Sequence, residues 1–274
     1  MAAAMAETRS TTPVDSNHVS VTRRDVDRLT PFWTHEGRSL TQANVYAYEI
    51  EGRRVAVKDF GCRPWPIRRW WGRWVLRREW NRLERLRDVA GIPQPIGWVD
   101  SDAFVMEWVD AERMPYLEEN SLEPAFFDRL GELIANMHAC GVAHGDLRRK
   151  NILVDGAQNP YLVDFATAFL AGPGRHRQRM FQRICRIDDL KVVKLKSDYC
   201  PDGLTDAERQ LLARSDPLLL RIGHFFRNSV YRPFIKPKRW RRRWKRLRGA
   251  FSCRCGDGEK ESERNSEEKN DRAD

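Results

Sequence analysis

The stretch His144-Gly145-Asp146-Leu147-Arg148-Arg149-Lys150-Asn151-Ile152-Leu153, followed by Val163-Asp164-Phe165-Ala166, constrains this chain more than any other part of it. An Asp and an Asn share one short loop, and a second Asp follows a hydrophobic run. A fold that uses all three must bring Asp146, Asn151 and Asp164 to one point. Carboxylate and amide oxygens are the hard donors that Mg2+ requires. A positioned carboxylate can take the proton of an attacking hydroxyl. These are the parts needed to move a phosphoryl group from ATP.

The pattern around this loop predicts an α+β chain. Residues 1–20 are small and polar and read as disordered. Val45–Ile50 and Arg54–Phe60 read as two strands joined through Glu51-Gly52-Arg53. Pro64 and Pro66 introduce a helical pattern in which Leu76, Trp80, Leu83 and Leu86 share an apolar face, with Gly91 and Pro93 as its stop. Pro95–Val99 and Ala103–Val109 read as strands. Phe127, Leu130, Leu133, Ile134 and Met137 mark a helix ending at Gly141. Ile152–Val154 and Tyr161–Val163 read as strands beside the opening loop. A basic amphipathic helix is expected over 232–250, with Trp240, Trp244 and Leu247 on one face, and an acidic disordered tail over 251–274.

With a formal charge of +10 and a pI near 9.5, the chain should attract polyanions: phosphates, nucleic acid or an anionic membrane surface. The six cysteines are scattered and form no paired C-x-x-C motifs, which argues against a structural zinc site. The first residues lack the basic start and apolar run of a signal peptide, and no apolar run is long enough to span a bilayer. The expected location is cytoplasmic, with a peripheral place at the inner membrane face as the variant reading.

Other chemistry-bearing residues stand in a telling order. Val55-Ala56-Val57-Lys58 resembles the protein-kinase strand whose lysine contacts the α and β phosphates, and Glu79 on the next helix would pair with it. His144-Gly145-Asp146 with Asn151, then Asp164-Phe165, resembles the kinase catalytic loop and metal-binding segment. The resemblance implies a bilobal protein-kinase-like fold, with a β-rich N-lobe over 21–103 and a helical C-lobe over 104–231. It makes Asp146 the proton acceptor, with Lys58, Glu79 and Arg148 assisting. Asn151 and Asp164 become the magnesium ligands. Ser39, Asn44, Val45, Ala56, Lys58, Glu107, Val109 and Leu153 become the ATP contacts, the backbone of Glu107 and Val109 meeting the adenine edge. His144 is expected to be structural, bonding backbone near the metal loop.

The branch resembled is narrower. Ser39-Leu40-Thr41-Gln42-Ala43-Asn44-Val45-Tyr46 looks like the phosphate loop of RIO kinases, and Glu79–Leu86 with Ala90–Pro95 fits the same pattern. Gly145 in place of arginine is shared by RIO kinases and the bacterial lipopolysaccharide-core sugar kinases. Ala166 replaces the D-F-G glycine, and no A-P-E segment follows, so a standard activation segment is absent. Leu40 departs from the RIO loop, which has Gly there.

The leading reading is therefore an ATP-dependent, RIO-like serine/threonine protein kinase. Two others stand beside it: an inner-membrane-associated kinase of a lipopolysaccharide-core sugar, and a non-catalytic ATP-binding module on RNA. The Arg/Trp segments 68–74 and 239–246 suit a membrane interface, where rings sit at headgroup depth and cations meet phosphates. They also suit RNA stacking. In the plainer alternative the tryptophans pack on the protein and the arginines are solvated.

Overall fold

In the computed structural model, residues 21–115 and 122–214 are described. The basic segment 232–250, the tail and residues 1–20 lie outside them. Five strands form one antiparallel sheet: β1 (Trp33–His35), β2 (Asn44–Ile50), β3 (Arg53–Asp59), β4 (Pro95–Asp100) and β5 (Ala103–Glu107), in the order β1-β2-β3-β5-β4. The β2–β3 turn is two residues long. Glu51 and Gly52 both take positive φ (53° and 72°), which matches the twist of a tight hairpin. β5, which the expected division at 103/104 would cut, belongs whole to this sheet and pairs with both β3 and β4.

A short helix, α1 (Arg23–Arg28), is capped by the Thr22–Asp25 exchange and clamped to the sheet. The Arg23 guanidinium meets Asp59 at 2.7 Å and Asp100 at 2.8 Å. Between β3 and β4 the chain makes a π-helical turn, Ile67–Gly72, that runs directly into α2 (Arg73–Arg85). Val75, Leu76, Glu79, Arg82 and Leu83 face inward. The helix stops at Leu86, earlier than the expected Gly91 and Pro93. Asp88 already takes a left-handed conformation (φ 69°), which a continuing helix cannot accommodate.

The second part is mainly helical. α3 (Pro124–Ala139) begins with proline at its first position and ends before Gly141, whose φ of 74° turns the chain out of the helix. After β6 (Glu112–Arg113) and β7 (Val142–Ala143) come β8 (Ile152–Val154) and β9 (Pro160–Leu162), the three-stranded sheet having the order β6-β8-β9. β10 (Phe169–Leu170) returns to pair with β7. α4 (Arg175–Tyr199) packs on α3, and α5 (Asp206–Arg214) follows. Lys196, almost wholly buried, joins the three helices by contacting Asp128 at 2.8 Å and Glu208 at 3.1 Å.

One apolar core runs through both parts. Phe60, Leu76, Leu83, Leu86 and Phe104 from the sheet side join Phe127, Leu130, Ile134, Met137, Ile152 and Phe165. Burial of this size drives folding. It also fixes α2 against the loop that precedes β10. No helix among the described residues is long and apolar enough to cross a membrane.

Candidate active site

The β2–β3–β5 ladder aims Lys58 into the molecule. Its register sets Lys58 opposite Val45 on one side and Phe104 on the other. Its ammonium reaches Glu79 on α2, 2.8 Å from Oε1 and 2.6 Å from Oε2. Glu79 is 1% exposed, so this is a buried pair. Removing either member would strand a charge, at a cost on the order of 3–5 kcal/mol. Burial alone would lower the lysine's pKa, but the charges of Glu79 and Asp164 outweigh it and hold the ammonium above its ordinary value.

The same ammonium lies 3.5 Å from Asp164 Oδ1. Asp164 has φ 68° and ψ 68°, a left-handed conformation for a residue with a side chain. Such backbone persists where the surroundings impose it. The carboxylate is 45% exposed, facing open space rather than core. Desolvation opposes its charge, but Lys58 above all, with Lys150, holds it below the usual carboxylate range.

His144 anchors this segment from below. Its Nδ1 accepts from the Asp146 amide (3.3 Å) and its Nε2 lies 3.2 Å from the Val163 carbonyl. Both ring nitrogens are thus engaged with backbone. The expected structural role is the one this geometry describes. Gly145 has φ 70°, a conformation in which an arginine would be strained.

Asn151 sits in a 3-10 turn, Arg149–Asn151, and gives its Nδ2 to the Asp146 carbonyl (2.9 Å). This leaves its Oδ1 as the side chain's acceptor. The Asn151 oxygen and the exposed Asp164 carboxylate are hard oxygen donors of the type that fits Mg2+. Arg148 does not stand apart as a surface charge: its guanidinium bonds the Asp146 carboxylate directly.

The remaining expected contacts are distributed around this centre. Ala56 is buried on β3, Val45 half-buried on β2, and Leu153 half-buried in the middle of β8. Glu107 ends β5 and Val109 follows it; the Glu107 amide donates to Gln94 O, and the Val109 carbonyl accepts from Ala111. Asn44, another of the expected contacts, opens β2. Its buried side chain is spent on the loop itself, accepting from Gly37 N (3.0 Å) and Arg63 (2.6 Å) and donating to Tyr46 and Cys62. Ser39 Oγ lies 3.0 Å from Thr41 Oγ1.

Four supports were not expected from the sequence. Asp188 on α4 is wholly buried and takes the backbone amides of His144 (2.7 Å) and Gly145 (2.9 Å), so it fixes the loop that carries Asp146. Arg82 donates to the Ala168 carbonyl (2.9 Å), tying α2 to the chain just after Asp164. Arg63 reaches back to the carbonyls of Gly37 (3.1 Å) and Gln42 (3.0 Å), bracing a loop poor in glycine. Lys150 feels both Asp164 and Asp146, and burial followed by the Arg148 charge lowers its pKa.

Comparison with known proteins agrees with this geometry. Residues 66–187 match the family model described as the RIO domain. The chain is 34% identical over 134 residues to a probable bifunctional tRNA threonylcarbamoyladenosine biosynthesis protein of Methanosarcina mazei, covering 47% of this chain and 23% of that one. It is 26% identical over 138 residues to a 3-deoxy-D-manno-octulosonic acid kinase of Vibrio vulnificus, covering 46% and 58% respectively. A kinase of the same description from Vibrio parahaemolyticus is 31% identical over 112 residues, 38% of this chain and 47% of that one. The chain thus spans less than two thirds of each of these relatives.

Proposed function

We propose, from the premise that this chain is a RIO-like member of the protein-kinase-like superfamily, that it transfers the γ-phosphoryl group of ATP to a hydroxyl. The observation that carries the reading is the convergence of Lys58, Glu79 and Asp164 within ion-pair distance, with Asp146 and Asn151 on the loop His144 anchors. Lys58, fixed by Glu79, holds the ATP phosphates. Asn151 and Asp164 would hold Mg2+, which supplies charge neutralisation between the phosphates. The phosphate loop, braced by Arg63, covers the nucleotide, and Ala56, Val45 and Leu153 enclose the adenine between the two parts of the fold, as Glu107 and Val109 meet its edge. Asp146 orients the acceptor hydroxyl and takes its proton as the new O–P bond forms. The bond from the γ-phosphorus to the bridging oxygen breaks, and ADP leaves.

The acceptor favoured is an acidic sugar rather than a protein side chain. Two observations support this. The 3-deoxy-D-manno-octulosonic acid kinases among the relatives are named for such a substrate. Beside Asp146 stand cations suited to an acceptor's own anionic group: Arg148 in contact with it, and Lys150 and Lys191 within its electrostatic reach. Serine/threonine phosphorylation, of another protein or of the chain itself, is the second reading, favoured by the RIO-domain match.

The test is radiolabelled ATP with three acceptors offered separately: a 3-deoxy-octulosonic acid glycoside, a mixed Ser/Thr peptide library, and the protein alone. Label in the sugar, lost by roughly 100- to 10,000-fold in Asp146→Asn, is the expected result. Label in peptide or protein would replace it with the second reading. ATP bound but never turned over would overturn both in favour of a binding module.

A further inference from the structure

Residues 61–78 contain six arginines, four tryptophans and no acidic residue. They form the approach to α2, the π-helical turn and the first part of the helix itself. The side facing the core is apolar: Val75 and Leu76 are buried there. The other side is unusual. Trp65 is 60% exposed, Trp70 73% and Trp74 42%, and Arg69 and Arg77 are exposed among them. Arg68 and Arg73 are committed to Asp102, at 3.1 and 2.8 Å, which leaves the outward charge to their neighbours.

From this face we infer that residues 65–77 dock on an anionic bilayer, with the indoles at headgroup depth and Arg69 and Arg77 on lipid phosphates. Indole is an amphipathic ring with an apolar body and one N–H donor, suited to the boundary between acyl chains and headgroups. The exposed rings are carried along one helical stretch and suit a broad surface better than a strand threaded through a groove. RNA is disfavoured for a second reason. Bases stack on open ring faces, but Arg69 already lies over Trp65 (5.9 Å) and Arg78 over Trp74 (4.6 Å), with Trp71 beside Trp74 at 5.3 Å.

The docking face is wired to the site. Trp71 Nε1 donates to the Thr41 carbonyl in the phosphate loop at 3.0 Å, and α2 carries Glu79 a few residues beyond Trp74. A protein held by this face would present its catalytic cleft close to the bilayer, where a lipid-linked hydroxyl is found. The docking itself goes beyond the proposed reaction and does not depend on it.

Full-length protein is sedimented with vesicles of phosphatidylcholine alone and of phosphatidylcholine mixed with phosphatidylglycerol. Wild type pellets with the anionic vesicles only. The pairs Trp65→Ala/Trp70→Ala and Arg69→Glu/Arg77→Glu each lower the partition coefficient by about tenfold or more, with an unchanged melting temperature. Should a pair melt early, Trp70→Ala alone at this most exposed ring gives the same reading at smaller amplitude. Asp146→Asn pellets as wild type does, so a failure of the chemistry and a failure of docking are told apart. The inference is overturned if wild type stays in the supernatant, if both pairs pellet unchanged, or if only the arginine pair has an effect. It is also overturned if these variants lose binding to a single-stranded RNA oligonucleotide while vesicle binding persists.

Discussion

Gly145 occupies a backbone position with φ 70°, and a Cβ added there would meet only Ile184 at an ordinary 3.4 Å. The cost of Gly145→Ala is therefore conformational, about 1–2 kcal/mol, and calorimetry should show a melting temperature lower by roughly 2–8 °C. Asp188→Ala removes the acceptor of two buried amides, those of His144 and Gly145. The loop carrying Asp146 then loses its register, and steady-state kinetics should show kcat falling by about 100-fold while ATP affinity measured by calorimetric titration changes little. The residues to which the proposed reaction gives roles were already singled out by the sequence. Lys58, Asp146, Asn151 and Asp164 are dictated in type by phosphate, metal and proton, and their order announces them. Asp188 was not, because its partners are main-chain amides 43 and 44 residues away. Any sequence would have those amides, so nothing in the residue string marks the contact.

At the level of elements, α2 is pinned at two points of its inner face. Its inner face gives Glu79 to Lys58 and Arg82 to Ala168 O, a bond spanning 86 residues of sequence. Arg82→Ala leaves the Lys58–Glu79 pair chemically intact but unfastens the helix from the segment after Asp164. Hydrogen exchange across residues 73–85 should accelerate, with KM for ATP rising several-fold. Arg63→Ala acts on the loop instead: three acceptors, at Gly37, Gln42 and Asn44, lose their donor. The expected readout is weaker ATP binding with kcat nearly unchanged once ATP is saturating. The hairpin, four of the five strands of the main sheet and α3 were legible from periodicity and turn residues; the three-residue edge strand β1 was too short to show a period. The end of α2 was not: Gly91 and Pro93 are stronger stop signals than Asp88, yet the core contact of Leu86 and the left-handed Asp88 end the helix first.

The molecule as a whole carries a pH signature in its helical part. His138 on α3 faces α4, with Nε2 3.4 Å from Asp188 and Nδ1 3.6 Å from Asp189. Burial alone would lower its pKa, but the hydrogen bonds it donates to Asp188 and Cys185 outweigh it and raise the group from 6.5 to about 9. A group raised on folding stabilises fully below its unfolded value and ceases to do so above its folded one. Denaturant unfolding should therefore show stability declining between about pH 6.5 and 9, and His138→Gln should flatten that slope. A final consequence lies in the π-helical turn before α2. A π turn is an α-helix with a residue inserted. Deleting one residue within Ile67–Gly72 would restore α-helical winding and leave the helix on either side nearly in phase, because the wider turn already absorbs the extra residue. The turn is thus a phase buffer: a one-residue change in length is taken up within it, so relatives that differ here by a single residue would keep both the Lys58–Glu79 pair and the outward direction of Trp65.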